Sequence, residues 1–328
     1  MEQSKKFFSL SNLIKLLVSA LIVIWIVMTA DWAQIVDVFS KIDPVFLSLA
    51  VGVFVINQYV IAIKLKSIIG IVDKKIHAFD ILRANFVGSF LGLVFSSTIG
   101  VDIVRGYYLY RSGCSKDIVI SSMLIDRMLG VVTVIVSGGV SLFFIPQVGS
   151  MVWLRLSYVL FVIVIIAFLG TLNVKFLGFL RQQLKFLRFQ WLITKAQEFM
   201  DAYLLFAKQR MKLILPMFLS IVVILMRILS IYFITVALGE VISIGYYFLI
   251  IPTVIIAAML PFAVAGIGIR EGTLAALLML FGMSENYAIA ATLVSAIKIT
   301  LIVIVAGVIF LMLTPKNVRE QMKGASLA

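Results

Sequence analysis

The sequence predicts an all-α, polytopic membrane protein of about eight or nine transmembrane segments, and three observations carry that prediction. Of 328 residues, 63% are hydrophobic and only 13% charged, with a mean hydropathy of +1.17; an ordinary soluble domain is about 45–50% apolar and about 25% charged. The apolar residues gather into runs near or above the ~20 residues that a helix needs to cross a bilayer. The charge, 28 Lys and Arg against 15 Asp and Glu for a net +13, falls mostly in the short stretches between those runs. No polar stretch reaches the ~50 residues of a soluble domain, so residues 1–328 form a single transmembrane domain. One cysteine, Cys114, and one histidine, His77, leave neither an internal disulfide nor a usual zinc ligand set, and no cofactor is expected.

Lys5 and Lys6 precede a run from Leu13 to Ala30, too long for a signal-peptide core, which reads as the first span. Further runs extend from Pro44 to Ile63, Ile118 to Ile145, Met151 to Leu172, Leu213 to Leu238, Tyr246 to Ala263 and Ala288 to Thr314. Two others, 84–101 and 264–282, are shorter and interrupted by Gly, Ser and Asn. Loop charge sets orientation through the Lys/Arg bias of cytoplasmic loops. Loop 31–43 has Asp31, Asp37 and Asp43 against Lys41 alone and belongs outside, whereas loop 64–83 holds Lys64, Lys66, Lys74, Lys75 and Arg83 and belongs inside. Stretch 174–212 carries eight cations against Glu198 and Asp201, and its alternation of apolar and basic residues suits a cytoplasmic interfacial helix. With loops 146–150 and 238–245 free of Lys and Arg, both termini fall in the cytoplasm.

Under that orientation, segment 84–101 enters and leaves on one side, and 246–263 with 264–284 makes a second hairpin. Each is followed by a long span, giving two elements, 79–145 and 246–314, that enter from opposite faces as an inverted repeat of broken or re-entrant hairpins. Their turning points are read at Gly100–Arg105 and Gly266–Glu271. Such repeats place a substrate site where broken helix ends line a protected cavity.

Eight ionisable residues stand at membrane depth, where each costs about 2.5–3.5 kcal/mol without a partner or a wet cavity. Asp102, Arg105, Asp126, Arg127, Arg227, Arg270, Glu271 and Lys298 comprise five cations and three acids. The excess of two positive charges invites an anionic group, and the planar arginine fork suits phosphate oxygens. All eight are candidate substrate-binding residues, with Arg105 and Arg270 expected to approach one cavity from opposite faces. Asp102 with Arg105, and Asp126 with Arg127, equally suit structural ion pairs that lock spans together. Asn57 and Gln58 read as helix-to-helix hydrogen bonds, His77 as solvated and Cys114 as inert. No P-loop, nucleophile elbow or HExxH string occurs, so no catalytic residue is assigned and the chain is not expected to be an enzyme.

The strings FSSTIGVDIVRGYYL (95–109), SSMLIDRMLGVVTV (121–134), FAKQRMKLILPMFLSIVVIL (206–225) and LPFAVAGIGIREGTLAALL (260–278) resemble the lysylphosphatidylglycerol synthase transmembrane-region family, which includes the flippase domain of the multiple peptide resistance factor. The carrying motifs are Asp126-Arg127-Met128-Leu129-Gly130 and Gly266 to Glu271. Ser96 stands where the family pattern has proline, and Val101 where it has a second glycine, while Asp102 and Arg105 are retained. The resemblance implies a bacterial cytoplasmic (inner) membrane protein that moves an anionic lipid or lipid-linked headgroup between leaflets. Relatives that make the lysyl lipid carry a further soluble transferase domain, so aminoacyl transfer is not expected of this chain. Two alternatives stay open: an enzyme on a lipid-linked substrate, of the glycosyltransferase kind assigned to some relatives, and a non-transporting partner of a lipid synthase. Nucleic acid is not an expected partner, and self-association is left open.

Overall fold

The computed structural model describes residues 32–72, 76–94, 98–111, 113–144, 163, 206, 208–259 and 268–313. The first span at 13–30, most of the run 151–172, loop 146–150, most of the basic stretch 174–212, and residues 260–267 at the second turning point lie outside the described residues. All regular structure among those described is helical: α1 (Trp32–Ser40), α2 (Pro44–Ile69), α3 (Ala78–Val94), α4 (Thr98–Arg111), α5 (Lys116–Phe144), α6 (Ile214–Leu238), α7 (Ile244–Met259), α8 (Ile269–Leu280) and α9 (Glu285–Met312). Helices α2, α5, α6 and α9 contain stretches long and apolar enough to cross a membrane. The protein is therefore a multi-pass, all-helical membrane protein.

Local sequence starts and stops these helices. Asp43 caps α2, its carboxylate accepting from Val45 N–H at 2.7 Å and from Phe46 N–H at 3.4 Å, and Pro44 fills the first position, where a missing N–H costs nothing. Gly239 ends α6 in the left-handed region at φ 93°, which a side chain would disfavour. Glu240 then accepts hydrogen bonds from the backbone N–H and the hydroxyl of Ser284, tying the end of α6 to the start of α9. Pro252 stands inside α7 and cannot donate to the carbonyl four residues back. That carbonyl, Phe248 O, instead accepts from the Ser137 hydroxyl of α5 at 3.4 Å.

The helix order repeats. Helices of 26, 17, 14 and 29 residues (α2–α5) are followed by helices of 25, 16, 12 and 28 residues (α6–α9). Helices α2 and α6 pack antiparallel: Asp43 N–H at the start of α2 donates to Ala237 O at the end of α6, at 2.9 Å. Packing is reciprocal: α3 pairs with α4 and α7 with α8, while α5 lies against α7 and α9 against α3. Phe310 of α9 meets Phe79 and Phe86 of α3, with ring centroids 5.5 and 5.7 Å apart.

Four expectations change. Gly100 to Arg105 lies within helix α4 (Thr98–Arg111) rather than at a tip. Helix α2 continues past Ile63 to Ile69, which puts Lys64 and Lys66 in a helix and not in a loop. Loop 31–43 contains α1, whose Ile35 is fully buried against Ile289. Loop 238–245 shortens to residues 239–243 between α6 and α7.

At Gly307, α9 comes into close contact with α3. A Cβ there would overlap Cβ of Phe90 and lie 2.9 Å from its Cγ and 3.2 Å from Phe86 O. Small residues let helices approach this closely in membranes. Replacing Gly307 with Leu should force α3 and α9 apart and cost about 1–3 kcal/mol. A thermal-unfolding midpoint in detergent equal to that of the wild type would contradict this contact.

Candidate functional site

Three of the membrane-length helices carry a polar side chain at their midpoint. Asn57 is thirteen residues from the start of α2 and twelve from its end; Arg227 is thirteen and eleven from the ends of α6; Lys298 is thirteen and fourteen from the ends of α9. All three line one cavity of about 610 Å³, together with Asp102 (α4), Arg127 (α5), and Arg270 and Glu271 (α8). Its remaining wall is apolar, including Phe54, Ile251 and Val254, with neutral polar groups at Gln58, Ser89, Ser230, Thr292 and Ser295. An apolar pocket with a few convergent polar groups is the usual form of a ligand site.

The ion pairs are crossed relative to sequence order. By sequence order, Asp102 with Arg105 and Asp126 with Arg127 suit structural pairs as well as substrate binding. Instead Arg127 donates to Asp102 at 2.5 Å and Arg105 to Asp126 at 3.1 Å, both between α4 and α5. Helical neighbours point about 100° apart at 3.6 residues per turn, so Asp126 and Arg127 face different surroundings. Asp126 also receives Lys64 Nζ at 2.8 Å. Lys64, Arg105 and Asp126 thus form a buried triad linking α2, α4 and α5 that does not line the cavity, with side-chain exposures of 7%, 10% and 9%. Arg105 consequently does not meet Arg270 across a shared cavity.

Each cavity cation has its own setting. Arg127 is half exposed to the cavity and held by Asp102. Arg270 binds the adjacent Glu271, with Nε to Oε1 at 2.9 Å, and Glu271 Oε2 also accepts from Gly268 N–H at 2.8 Å, closing the first turn of α8. Lys298 Nζ donates to the Ser230 hydroxyl at 2.5 Å and lies 5.2 Å from the centre of the Phe54 ring; Ser230 donates onward to Ala50 O at 2.9 Å. Arg227 is exposed although it stands mid-helix, the cavity giving it access, and among the described residues it has no ion pair or hydrogen bond. Four cations and two carboxylates leave the cavity wall with an excess of two positive charges.

The sequence reading missed Lys64, Ser230 and Phe54. The signal for Lys64 was available, since Leu65, Ile68 and Ile69 prolong the apolar run beyond it. Nothing local distinguishes Ser230 or Phe54 from their apolar neighbours. Among the described residues no cluster of three His, Cys, Asp or Glu is placed to hold a metal.

Residues 12–307 match the family model for the lysylphosphatidylglycerol synthase TM region. The chain belongs to the lysylphosphatidylglycerol synthase transmembrane-region family. Comparison with curated proteins and with solved structures gives no match. Membership of the lysylphosphatidylglycerol synthase transmembrane-region family relates the chain to lipid headgroup handling in a membrane. The matched range contains every cavity residue and all three members of the triad.

Proposed function

We propose that the protein moves an anionic lipid headgroup, free or lipid-linked, between the leaflets of the bacterial cytoplasmic membrane, with both termini in the cytoplasm. The observation that carries this reading is the mid-height cavity with two surplus positive charges among the described residues, in which Arg227 and Lys298 are in no ion pair. Cations at membrane depth need a counter-charge or a wet cavity, and a headgroup phosphate supplies the counter-charge. The repeated helix order, with α2 antiparallel to α6, suits alternating access, in which one half rocks against the other around a fixed site. Both cavity acids are held by arginines, which favours transport over acid–base catalysis on a lipid-linked substrate.

The test is protein-dependent flipping of a fluorescent anionic phospholipid in reconstituted vesicles, read by dithionite quenching. Wild-type protein should raise the quenched fraction above the outer-leaflet value. Arg227→Glu should return it to that of protein-free vesicles. Equal quenching by the two proteins at equal reconstituted amounts would overturn the assignment.

A further inference from the structure

The partners already taken by the cavity charges decide which headgroups can enter. Both carboxylates are occupied: Asp102 by Arg127 at 2.5 Å, and Glu271 by Arg270 and by Gly268 N–H. A phosphate entering this space meets Arg227, which has no partner among the described residues, and Lys298, whose ammonium has one hydroxyl and one ring. Among the described residues, an ammonium entering it meets four cations, no open carboxylate, and in Phe54 an aromatic face already covered by Lys298.

We infer that the cavity is a charge filter, accepting headgroups that carry a phosphate and neutral hydroxyls and rejecting those that carry an ammonium. The inference rests on the reading that the cavity takes a lipid headgroup, and it names the class of headgroup. Neutral hydroxyls have matching groups in the wall. Thr292 and Ser295 stand on α9 beside Lys298, and Gln58 and Asn57 on α2. Asn57 is 3% exposed, and its side-chain oxygen has no hydrogen-bond partner, a deficit that a donated hydroxyl would make good without adding charge. Juxtaposed like charges repel strongly in such a site, so discrimination against an ammonium is expected to be large.

The purified full chain is placed in nanodiscs holding equal amounts of phosphatidylglycerol, phosphatidylethanolamine and lysyl-phosphatidylglycerol, a series whose net charge runs from negative through zero to positive. Lipid retained by the protein is counted by native mass spectrometry. Phosphatidylglycerol should exceed phosphatidylethanolamine by about tenfold or more, with the lysyl lipid lowest; tenfold corresponds to about 1.4 kcal/mol. Arg227→Glu should bring the ratio near one. Lys298→Gln, whose amide can still donate to Ser230, should lower it less and serves where the reversal fails to fold, as judged by size-exclusion chromatography.

Equal retention of the three lipids by the wild type, all of it lost in Arg227→Glu, would sink the filter and leave the lipid site standing. Retention indifferent to both variants would sink the site as well. Added glycerol phosphate should leave the retained lipid unchanged. Displacement by it would transfer the anion site to a soluble phosphate and overturn the lipid assignment, whatever the charge preference.

Discussion

Asp126→Asn should remove most of the folded protein from the membrane fraction. The Asp126 carboxylate is shared by Lys64 at 2.8 Å and Arg105 at 3.1 Å, all three side chains being nine-tenths buried. Neutralising it leaves two cations without an acid where neither can reach water. Breaking a buried pair costs about 3–5 kcal/mol, a large part of a total stability of about 5–15 kcal/mol. The Asp102–Arg127 pair provides the contrast, because Arg127 is half exposed and the cavity screens it. Asp102→Asn should therefore cost about 1 kcal/mol or less. Adding Lys64→Met to Asp126→Asn should recover part of the loss by withdrawing one of the two stranded cations. Detergent-solubilised yield and thermal midpoint on size-exclusion chromatography measure all three. Indistinguishable midpoints for Asp126→Asn and Asp102→Asn would show that the triad does not hold α2, α4 and α5 together.

Arg270→Glu should fold and yet abolish flipping, whereas Arg105→Glu should fail to fold. The two arginines look alike in sequence, each following a glycine-bearing string, but their surroundings differ. Arg270 is one-third exposed at the cavity, and its reversal takes the wall from an excess of two positive charges to none while placing a second carboxylate beside Glu271. An anionic headgroup would then face repulsion in a poorly screened space. Arg105 is buried against Asp126, so its reversal sets two acids together with Lys64 as their only neutralising neighbour among the described residues. Lys41→Gln, at an exposed surface pair with Asp37, should behave as wild type in both assays. With equal amounts of reconstituted protein, wild-type flipping by Arg270→Glu would remove the cavity from the transport path.

The membrane-length helices were legible because a run of some 20 apolar residues admits few other structures. Their ends were less so. Lys64 and Lys66 were counted as loop charge, but Leu65, Ile68 and Ile69 keep the buried stripe going and carry the helix to Ile69. Gly100 suggests a turn, yet Thr98 already begins α4 and the glycine is helical. The crossed pairs could not be read from sequence at all. Adjacency suggested Asp126 with Arg127, and only the packing of α4 on α5 decides that each acid meets the arginine of the other helix. Lys298 meets Ser230 and Phe54 across long stretches of chain, and neither contact leaves a local mark. The surplus of two positive charges counted in the sequence recurs in the cavity through a different set of residues, since Arg105 and Asp126 leave it together and cancel.

Under the proposed transport, the wall's charges belong to the chain and stay behind when a headgroup crosses, so the electrical work of a cycle is done on the headgroup alone. An inside-negative voltage of roughly 100 mV changes the energy of one elementary charge crossing the whole field by about 2.3 kcal/mol, an outward bias of about 40-fold for a singly charged anion. A zwitterion would feel none of it. For a cavity that admits only acidic headgroups, the membrane potential alone is enough to give transport a direction, and collapsing that potential would turn a one-way exporter into a simple equilibrator.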